Sequence, residues 1–502
     1  MNHPGQTLTQ LTAGTVVPFG GDRYTVVGAE LAAAFRAGDS LYVVPDTGAL
    51  LHVPAAVRDL VRARVDAAVA AFAGLRTAAP AQIRRFFLTF AELLAVHWDA
   101  VAQVNAEDVA RAEALGRSTT RLRVSERVRD DMVAGLHVWA EMLADGGGPA
   151  ARRVVHDGWH VDVETAPLGV VGFVFEGRPN VLTDAAGVLA TGNTAVLRIG
   201  GDALGTARAI AELALVPALR SAGLPEGAVG LVTSRERSAG WALFSDPRLA
   251  LAVVRGSGTA VAQLASVARQ SGIPVSAHGT GGAWLVADVS ADAARLAGAV
   301  RHSLDRKVCN TLNVAVVVRE RAADLVPTLL AAADQAAAAR GGEARLHVAH
   351  GSEGWLPAAE LERTIEVRRA EGIVVEPRAD VIPVERLAQE WEWEGTPELS
   401  LVVVEDLDEA VELVNDLSPR FVASLVAEDA AAQARFFRAV DAPFVGDGFT
   451  RWVDGLYALR QPELGLSNWE HGRLLGRAGI LSGADLTTRR VRAHHDSAEQ
   501  HR

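Results

Sequence analysis

The sequence predicts an α/β protein built on doubly wound parallel sheets, and three observations carry that expectation. Apolar runs at Pro167–Phe175, Thr194–Arg198, Leu249–Val254 and Val314–Val318 are nearly continuous, as strands covered on both faces must be. The first three end in the breaks Glu176-Gly177-Arg178-Pro179-Asn180, Ile199-Gly200-Gly201-Asp202 and Arg255-Gly256-Ser257-Gly258, each leading towards a helix. Repeated strand–loop–helix units give a parallel sheet with helices on both faces. The composition agrees, at 49% hydrophobic and 22% charged with Ala and Val prominent. At 502 residues the chain exceeds one ordinary core, so two or three domains are expected.

Residues 1–54 read as a β-rich N-terminal appendage, with a hairpin joining Leu41–Val44 to Leu50–Val53 through Pro45-Asp46-Thr47-Gly48. From Ala55 the period becomes helical: Val57, Leu60, Val61, Val65 and Val69 form one apolar face, and Ile83, Phe86, Phe87, Phe90, Leu93 and Leu94 the next. Asn105-Ala106-Glu107-Asp108 resembles a capped helix start. A cofactor-binding domain is expected over 55–277, interrupted by a hairpin at 152–166 that turns at Asp157-Gly158. The break Gly200-Gly201 is a candidate phosphate cradle, where backbone N–H groups and a helix start would meet an anion, although it lacks the GxGxxG fingerprint. A second α/β domain follows over 278–445, then a C-terminal segment over 446–493. The charged end 494–502 is expected to be disordered.

The net charge of −12 and a pI near 5.7 argue against nucleic acid or an anionic membrane surface as partners. No apolar run reaches the ~20 residues that span a bilayer. One cysteine excludes an intrachain disulfide framework and fits a reducing cytoplasm, and Met1-Asn2-His3-Pro4 opens no leader-like segment. His52, His97 and His137 lack neighbours at metal-ligand spacing, so no metal is expected.

That cysteine, Cys309, stands two residues from Lys307, the one lysine among 49 basic residues. A compact ammonium beside a thiol favours the thiolate, which is the nucleophilic form. The plainer alternative is an inert, buried cysteine with a nearby surface lysine. In a chain that otherwise uses arginine throughout, the pairing favours a nucleophile.

Several stretches resemble the γ-glutamyl phosphate reductase (glutamate-5-semialdehyde dehydrogenase) family of the aldehyde dehydrogenase superfamily. They are Pro167-Leu168-Gly169-Val170, Glu176–Val181, Gly192–Arg198, Val308-Cys309-Asn310-Thr311, Glu405–Ala410, Thr450–Gly455 and Leu486-Thr487-Thr488. The similarity runs in one order from about Val57 to Arg490. It implies an aldehyde dehydrogenase-like fold: a doubly wound cofactor domain, an α/β catalytic domain carrying the cysteine, and a small oligomerisation β-element. That element would join the 152–166 hairpin to a strand near Leu486–Val491, in a homodimer or homotetramer. The resemblance also implies NADPH as cofactor, Cys309 as nucleophile and Asn180 as the side-chain amide of an oxyanion hole.

Arg198, Gly200 and Gly201 are candidates for the cofactor phosphates, with Arg198 alternatively an exposed strand-end cation. Arg255, Gly256 and Ser257 would line the cofactor cleft by resemblance. Glu392 or Glu394 would hold the nicotinamide ribose, unless Trp391-Glu392-Trp393-Glu394 is a surface loop with packed indoles. Arg306 or Lys307 would receive the leaving phosphate, and Arg178 and Asn310 would line the substrate site. Arg451 reads either as a partner for a substrate carboxylate or as half of a structural ion pair. Between Gln270 and Asp288 there is no Asp or Glu to bring water onto a thioester, which favours phosphate exchange over hydrolysis.

The chain departs from the family pattern at His302–Arg306, at Asp447-Gly448-Phe449, in an insertion at about 456–463, and at Ser467-Asn468-Trp469. The expected activity is NADPH-dependent reduction of γ-glutamyl phosphate in proline synthesis. The same chemistry on another acyl phosphate or aldehyde is the second reading. The third, from a different class, is a non-catalytic partner of an amino-acid kinase.

Overall fold

The computed structural model describes residues 7–117, 119, 121–144, 152–175, 177–369, 372–453, 459, 463–466, 480–482 and 485–499. Most of the expected insertion at 456–463 and all of 467–469 lie outside the described residues. The chain divides into two compact units, 1–279 with 461–465 and 481–502, and 280–460 with 466–480.

In the first unit, five parallel strands lie in the order Val275–His278, Leu249–Arg255, Val170–Phe175, Thr194–Ile199, Val229–Leu231. The chain starts at the centre, winds outward to one edge, and returns to fill the other side. The order therefore reverses between Val170–Phe175 and Leu249–Arg255, and ligands of doubly wound sheets bind beyond the carboxyl ends at such a reversal. The loops leaving these two strands carry Arg178 and Asn180 on one side and Gly256 and Ser257 on the other. The helical run Leu204–Ala222 contains one π-turn at Ala211–Leu215, just ahead of Pro217. A widened turn there suits a residue that has no N–H to give to the ladder.

Helix Ala55–Leu75 buries Val57, Val61, Val65, Ala68, Ala71 and Leu75, while Leu60 and Val69, expected on that face, are exposed. The buried set repeats at i+4, i+3 and i+4 intervals, and Leu60 and Val69 fall on its flanks. Asn105 begins no helix. It lies inside Trp98–Ala114, where its buried amide donates to the Leu122 carbonyl and Thr206 Oγ1 and accepts from the Val124 N–H. A polar side chain expected as a cap instead braces a neighbouring loop. Of the N-terminal residues, the second hairpin, Ser40–Val43 with Leu50–Val53, packs into the main core. Val44, Leu51 and Val53 share a cluster with Val57, Val61, Val170 and Val174.

The hairpin Arg152–His156 and Trp159–Pro167 is completed by Thr487–His495 into a three-stranded antiparallel sheet. Its register puts Arg153, Asp162 and Arg492 on one face. Val154, Val161 and Ala493 lie on the other, with His156, Trp159 and His495 stacked beside them. His494 and His495 belong to this strand rather than to a disordered tail, because pairing with His160 and Trp159 gives their backbone a partner.

The second unit holds seven parallel strands, ordered Ala379–Ile382, Arg345–Ala349, Glu398–Val404, Leu312–Val318, Ala283–Ala287, Val422–Val426, Phe444–Gly446. Every residue of Leu312–Val318 and of Ala283–Ala287 is buried, as expected for strands covered on both faces.

Candidate active site

Cys309 lies in the turn that enters the central strand Leu312–Val318, at the amino ends of the second sheet. It packs against a small apolar cluster of Ala283, Phe421, Val422 and Phe444, which Val453 also meets. Hydrogen bonds hold the backbone around Cys309 on both sides. The Gly282 N–H donates to the Cys309 carbonyl at 2.7 Å, and the Ala283 N–H to the Thr311 carbonyl at 2.9 Å. The Thr311 hydroxyl donates to the Arg306 carbonyl at 2.6 Å and accepts from the Val308 N–H at 2.9 Å, closing the loop on either side of the thiol. Thr450 Oγ1 donates to the Asn310 carbonyl at 2.7 Å.

Two glycines permit this approach. A Cβ on Gly281 would stand 2.8 Å from both Cα and O of Cys309, and one on Gly282 would stand 2.9 Å from Asn313 Cβ. Gly282 also has φ +100, which a side chain resists. Backbone therefore lies directly against the Cys309 loop.

Lys307 turns inward. Its side chain is 6% exposed and donates at 2.5 Å to Glu390 Oε1, while Glu390 Oε2 accepts the Gly281 N–H at 2.6 Å. Glu390 is fixed from beneath by Asn313, whose amide donates to the Gln389 carbonyl and accepts from the Trp391 N–H, both at 2.9 Å. The Trp391 indole stacks on His347 and donates to Ser400 Oγ. Arg306 is exposed. Arg451 donates to Asp305 Oδ1 at 2.7 Å and to Asn310 Oδ1, so its guanidinium is held in the ion pair that was the alternative to substrate binding. Asn310 itself is buried. Trp391 and Trp393 are buried with Glu392 and Glu394 exposed, which is the packed-indole arrangement. The carboxylate turned towards the cysteine is Glu390, which sequence reasoning did not single out. It shares the alternation of 392 and 394, and only burial tells it apart.

In the first unit, Asn180 stands half-buried at the start of helix Val181–Ala186 and makes no capping bond to it. Arg178 is half-buried. Arg198 ends its strand against the carbonyls of Arg235 and Glu236, at 3.4 and 3.2 Å, and no carboxylate pairs with it among the described residues. Its Nε is buried without a hydrogen bond. Burial, and then the charge of Arg237, push its guanidinium below the usual range, so the site gains from an anion. Gly200 donates to the Phe175 carbonyl, and a Cβ on Gly201 would touch Arg235. Arg255 lies over the Phe175 ring, the Gly256 N–H donates to the His278 carbonyl, and Ser257 occupies the position just ahead of helix Gly258–Gln270. A dinucleotide fits these residues: ligands of such sheets bind at the switch point, and Arg198 is a half-buried cation bonded to two carbonyls and to no carboxylate among the described residues.

A doubly wound sheet whose order reverses between two strands is a framework that binds ligands beyond its carboxyl ends. The chain is a member of the aldehyde dehydrogenase family, whose sequence model matches residues 42–352. It is 31% identical over 407 residues to γ-glutamyl phosphate reductase from Rhodopseudomonas palustris (strain BisA53), covering 79% of this chain and 85% of that protein. Among solved structures it resembles γ-glutamyl phosphate reductase from Thermotoga maritima, with TM-score 0.72, 22% identity, and coverage of 88% of this chain and 100% of that one. It also resembles Rhodopseudomonas palustris propionaldehyde dehydrogenase with bound CoA and an acylated cysteine, with TM-score 0.59, 17% identity, and coverage of 87% and 97%. No described helix is long and apolar enough to cross a membrane.

Proposed function

We propose that the protein reduces γ-glutamyl phosphate to glutamate-5-semialdehyde with NADPH, as a step of proline synthesis. The observation that carries this reading is Cys309, held at the mouth of the central strand in a chain 31% identical to a γ-glutamyl phosphate reductase over 79% of its length. The Cys309 thiolate attacks the acyl carbonyl, a C–S bond forms, the C–O bond to phosphate breaks, and phosphate leaves. The thioester divides a difficult reduction into two easier steps. NADPH, when bound, would supply the hydride that reduces the thioester carbonyl, and breaking of the C–S bond then restores the Cys309 thiolate and releases the aldehyde. Asn180 and the Cys309 N–H serve as donors to the oxygen that becomes negative. Arg198 holds the 2′-phosphate, Gly200, Gly201 and Arg255–Ser257 border the rest of the cofactor, and Lys307 stands by the departing phosphate. The 152–167 and 487–495 sheet serves assembly of a homo-oligomer. No Asp or Glu lies between 270 and 288, and the carboxylate beside the Cys309 loop, Glu390, is taken up by Lys307 and the Gly281 N–H, which supports transfer to phosphate rather than to water.

One observation favours a second reading. With Arg451 committed to Asp305 and Asn310, a carboxylate-bearing substrate lacks the arginine expected to receive it, which suits a different acyl phosphate or aldehyde. The test is phosphate-dependent reduction of NADP+ by glutamate-5-semialdehyde, in the reverse direction, with Cys309→Ala as control. Activity that needs phosphate and is lost in the variant is the expected result. Inactivity with this substrate, while another aldehyde is oxidised through Cys309, transfers the assignment to the second reading.

A further inference from the structure

Two charges flank the nucleophile on its glycine side, and nothing above gives one of them a role. The Glu390 carboxylate spends one oxygen on the Lys307 ammonium and the other on the Gly281 amide. The position of a Gly281 Cβ is 2.9 Å from Glu390 Oε1 and 2.8 Å from Cys309 Cα, so the ion pair and the cysteine face each other across a bare α-carbon. Cys309 packs against the apolar cluster Ala283, Phe421, Val422 and Phe444. Arg451 is neutralised by Asp305, Arg420 is turned to the Asn415 carbonyl, and Arg306 is exposed.

An ammonium near a thiol favours the thiolate and a carboxylate opposes it. Held as a pair, the two largely cancel, and what reaches the sulfur depends on how tightly the carboxylate keeps the ammonium. The pair is tight. Lys307 is 6% and Glu390 15% exposed, and the Asn313 amide pins the backbone on both sides of Glu390. A compact ammonium fills this space where the broad, planar guanidinium used everywhere else in the chain does not.

We propose that Glu390 is a positioning residue for the nucleophile. By holding the Lys307 ammonium on one oxygen and the Gly281 amide on the other, it meters the positive charge presented to Cys309 and so sets how readily the thiol becomes thiolate. The inference rests on Cys309 being the nucleophile but on no particular substrate.

The single cysteine makes the test clean, because iodoacetamide on the full chain reports on Cys309 alone. Alkylation rate is measured against pH for the wild type, Glu390→Gln, Lys307→Met and the double variant, with folding checked by circular dichroism. Freeing the ammonium in Glu390→Gln is expected to move the midpoint down and speed alkylation near neutral pH by about threefold to tenfold, a full tenfold being one unit of midpoint. Leaving the carboxylate uncompensated in Lys307→Met is expected to slow it by a similar factor, with the double variant between them. If Glu390→Gln does not fold, Glu390→Asp keeps the charge but withdraws it by one methylene, and a smaller acceleration is expected. Shifts of the same sign in both single variants, or profiles within about twofold of wild type, overturn the proposal. An enzyme active on glutamate-5-semialdehyde with flat alkylation profiles sinks this inference alone. Opposite shifts in an enzyme inactive on that substrate sink only the substrate reading.

Discussion

The two parallel sheets place their chemistry at opposite ends. In the first unit the candidate residues follow the strands: Asn180 after Val170–Phe175, Gly200 and Gly201 after Thr194–Ile199, and Gly256 and Ser257 after Leu249–Arg255. In the second they precede them, with Gly281 and Gly282 before Ala283–Ala287, Cys309 before Leu312–Val318, and Glu390 ahead of Glu398–Val404. The contrast suits the part proposed for each site. Loops that leave a strand and enter a helix offer N–H groups and room for a mobile, anionic cofactor. A nucleophile needs the opposite, a loop with no freedom, and the amino ends of buried strands supply it through the bonds around Thr311, Asn310 and the Cys309 carbonyl.

If that difference is real, a small steric change in the second site should cost far more than one in the first. Gly281→Ala drives a methyl into Cys309 and into the oxygen that holds Lys307. A misplacement on the order of 1 Å is worth about 10²-fold in rate, so kcat should fall by at least that factor while NADPH binding, read by fluorescence titration, stays within about twofold. A mild loss of rate would show the nucleophile's loop to be as adaptable as the cofactor's and would remove the contrast. Arg198→Ala is the counterpart. Losing about 1.5–3 kcal/mol of charge-assisted bonding should raise KM for NADPH by about tenfold to a hundredfold, leaving KM for NADH and the alkylation of Cys309 unchanged. Equal losses with both cofactors would move the 2′-phosphate site elsewhere.

The same contrast explains what was legible in the sequence. A strand followed by glycines and a helix is a local pattern, so the first sheet, its order of elements and the loops around Arg198 and Arg255 could be read directly. Cys309 was conspicuous by composition, as the one thiol beside the one lysine. Its lock was not, because the lock is assembled from distant chain. Glu390 lies 83 residues from Lys307 and 109 from Gly281, and Asn313 reaches 76 residues to Gln389. Three carboxylates alternate with two indoles from Glu390 to Glu394, and no local rule says which one turns inward. Asn105 shows the same limit in reverse: its residue type announced a cap, and a partner 101 residues away at Thr206 took its amide.

The contrast reaches a third place, where a carboxylate is held without deep packing. In the three-stranded sheet, Asp162 accepts Arg153 Nε at 2.6 Å and Nη2 at 3.0 Å, with Arg492 at 3.3 Å from the far strand. The Arg153 bonds, opposed by desolvation and aided by Arg492, hold its carboxyl at about 2, against an ordinary 3.8. A lowered carboxyl stabilises the fold above its unfolded value and loses that contribution as pH falls through the folded one. The melting-temperature gap between wild type and Asp162→Asn should therefore be constant from neutral pH down to about 4 and close between about 4 and 2. The gap should be small, since both arginines are largely exposed and their charges are screened by water. A gap of the same size at pH 2 would mean that Asp162 acts through packing alone, as the buried bonds around Cys309 do, and the sheet would then belong with the second site rather than the first.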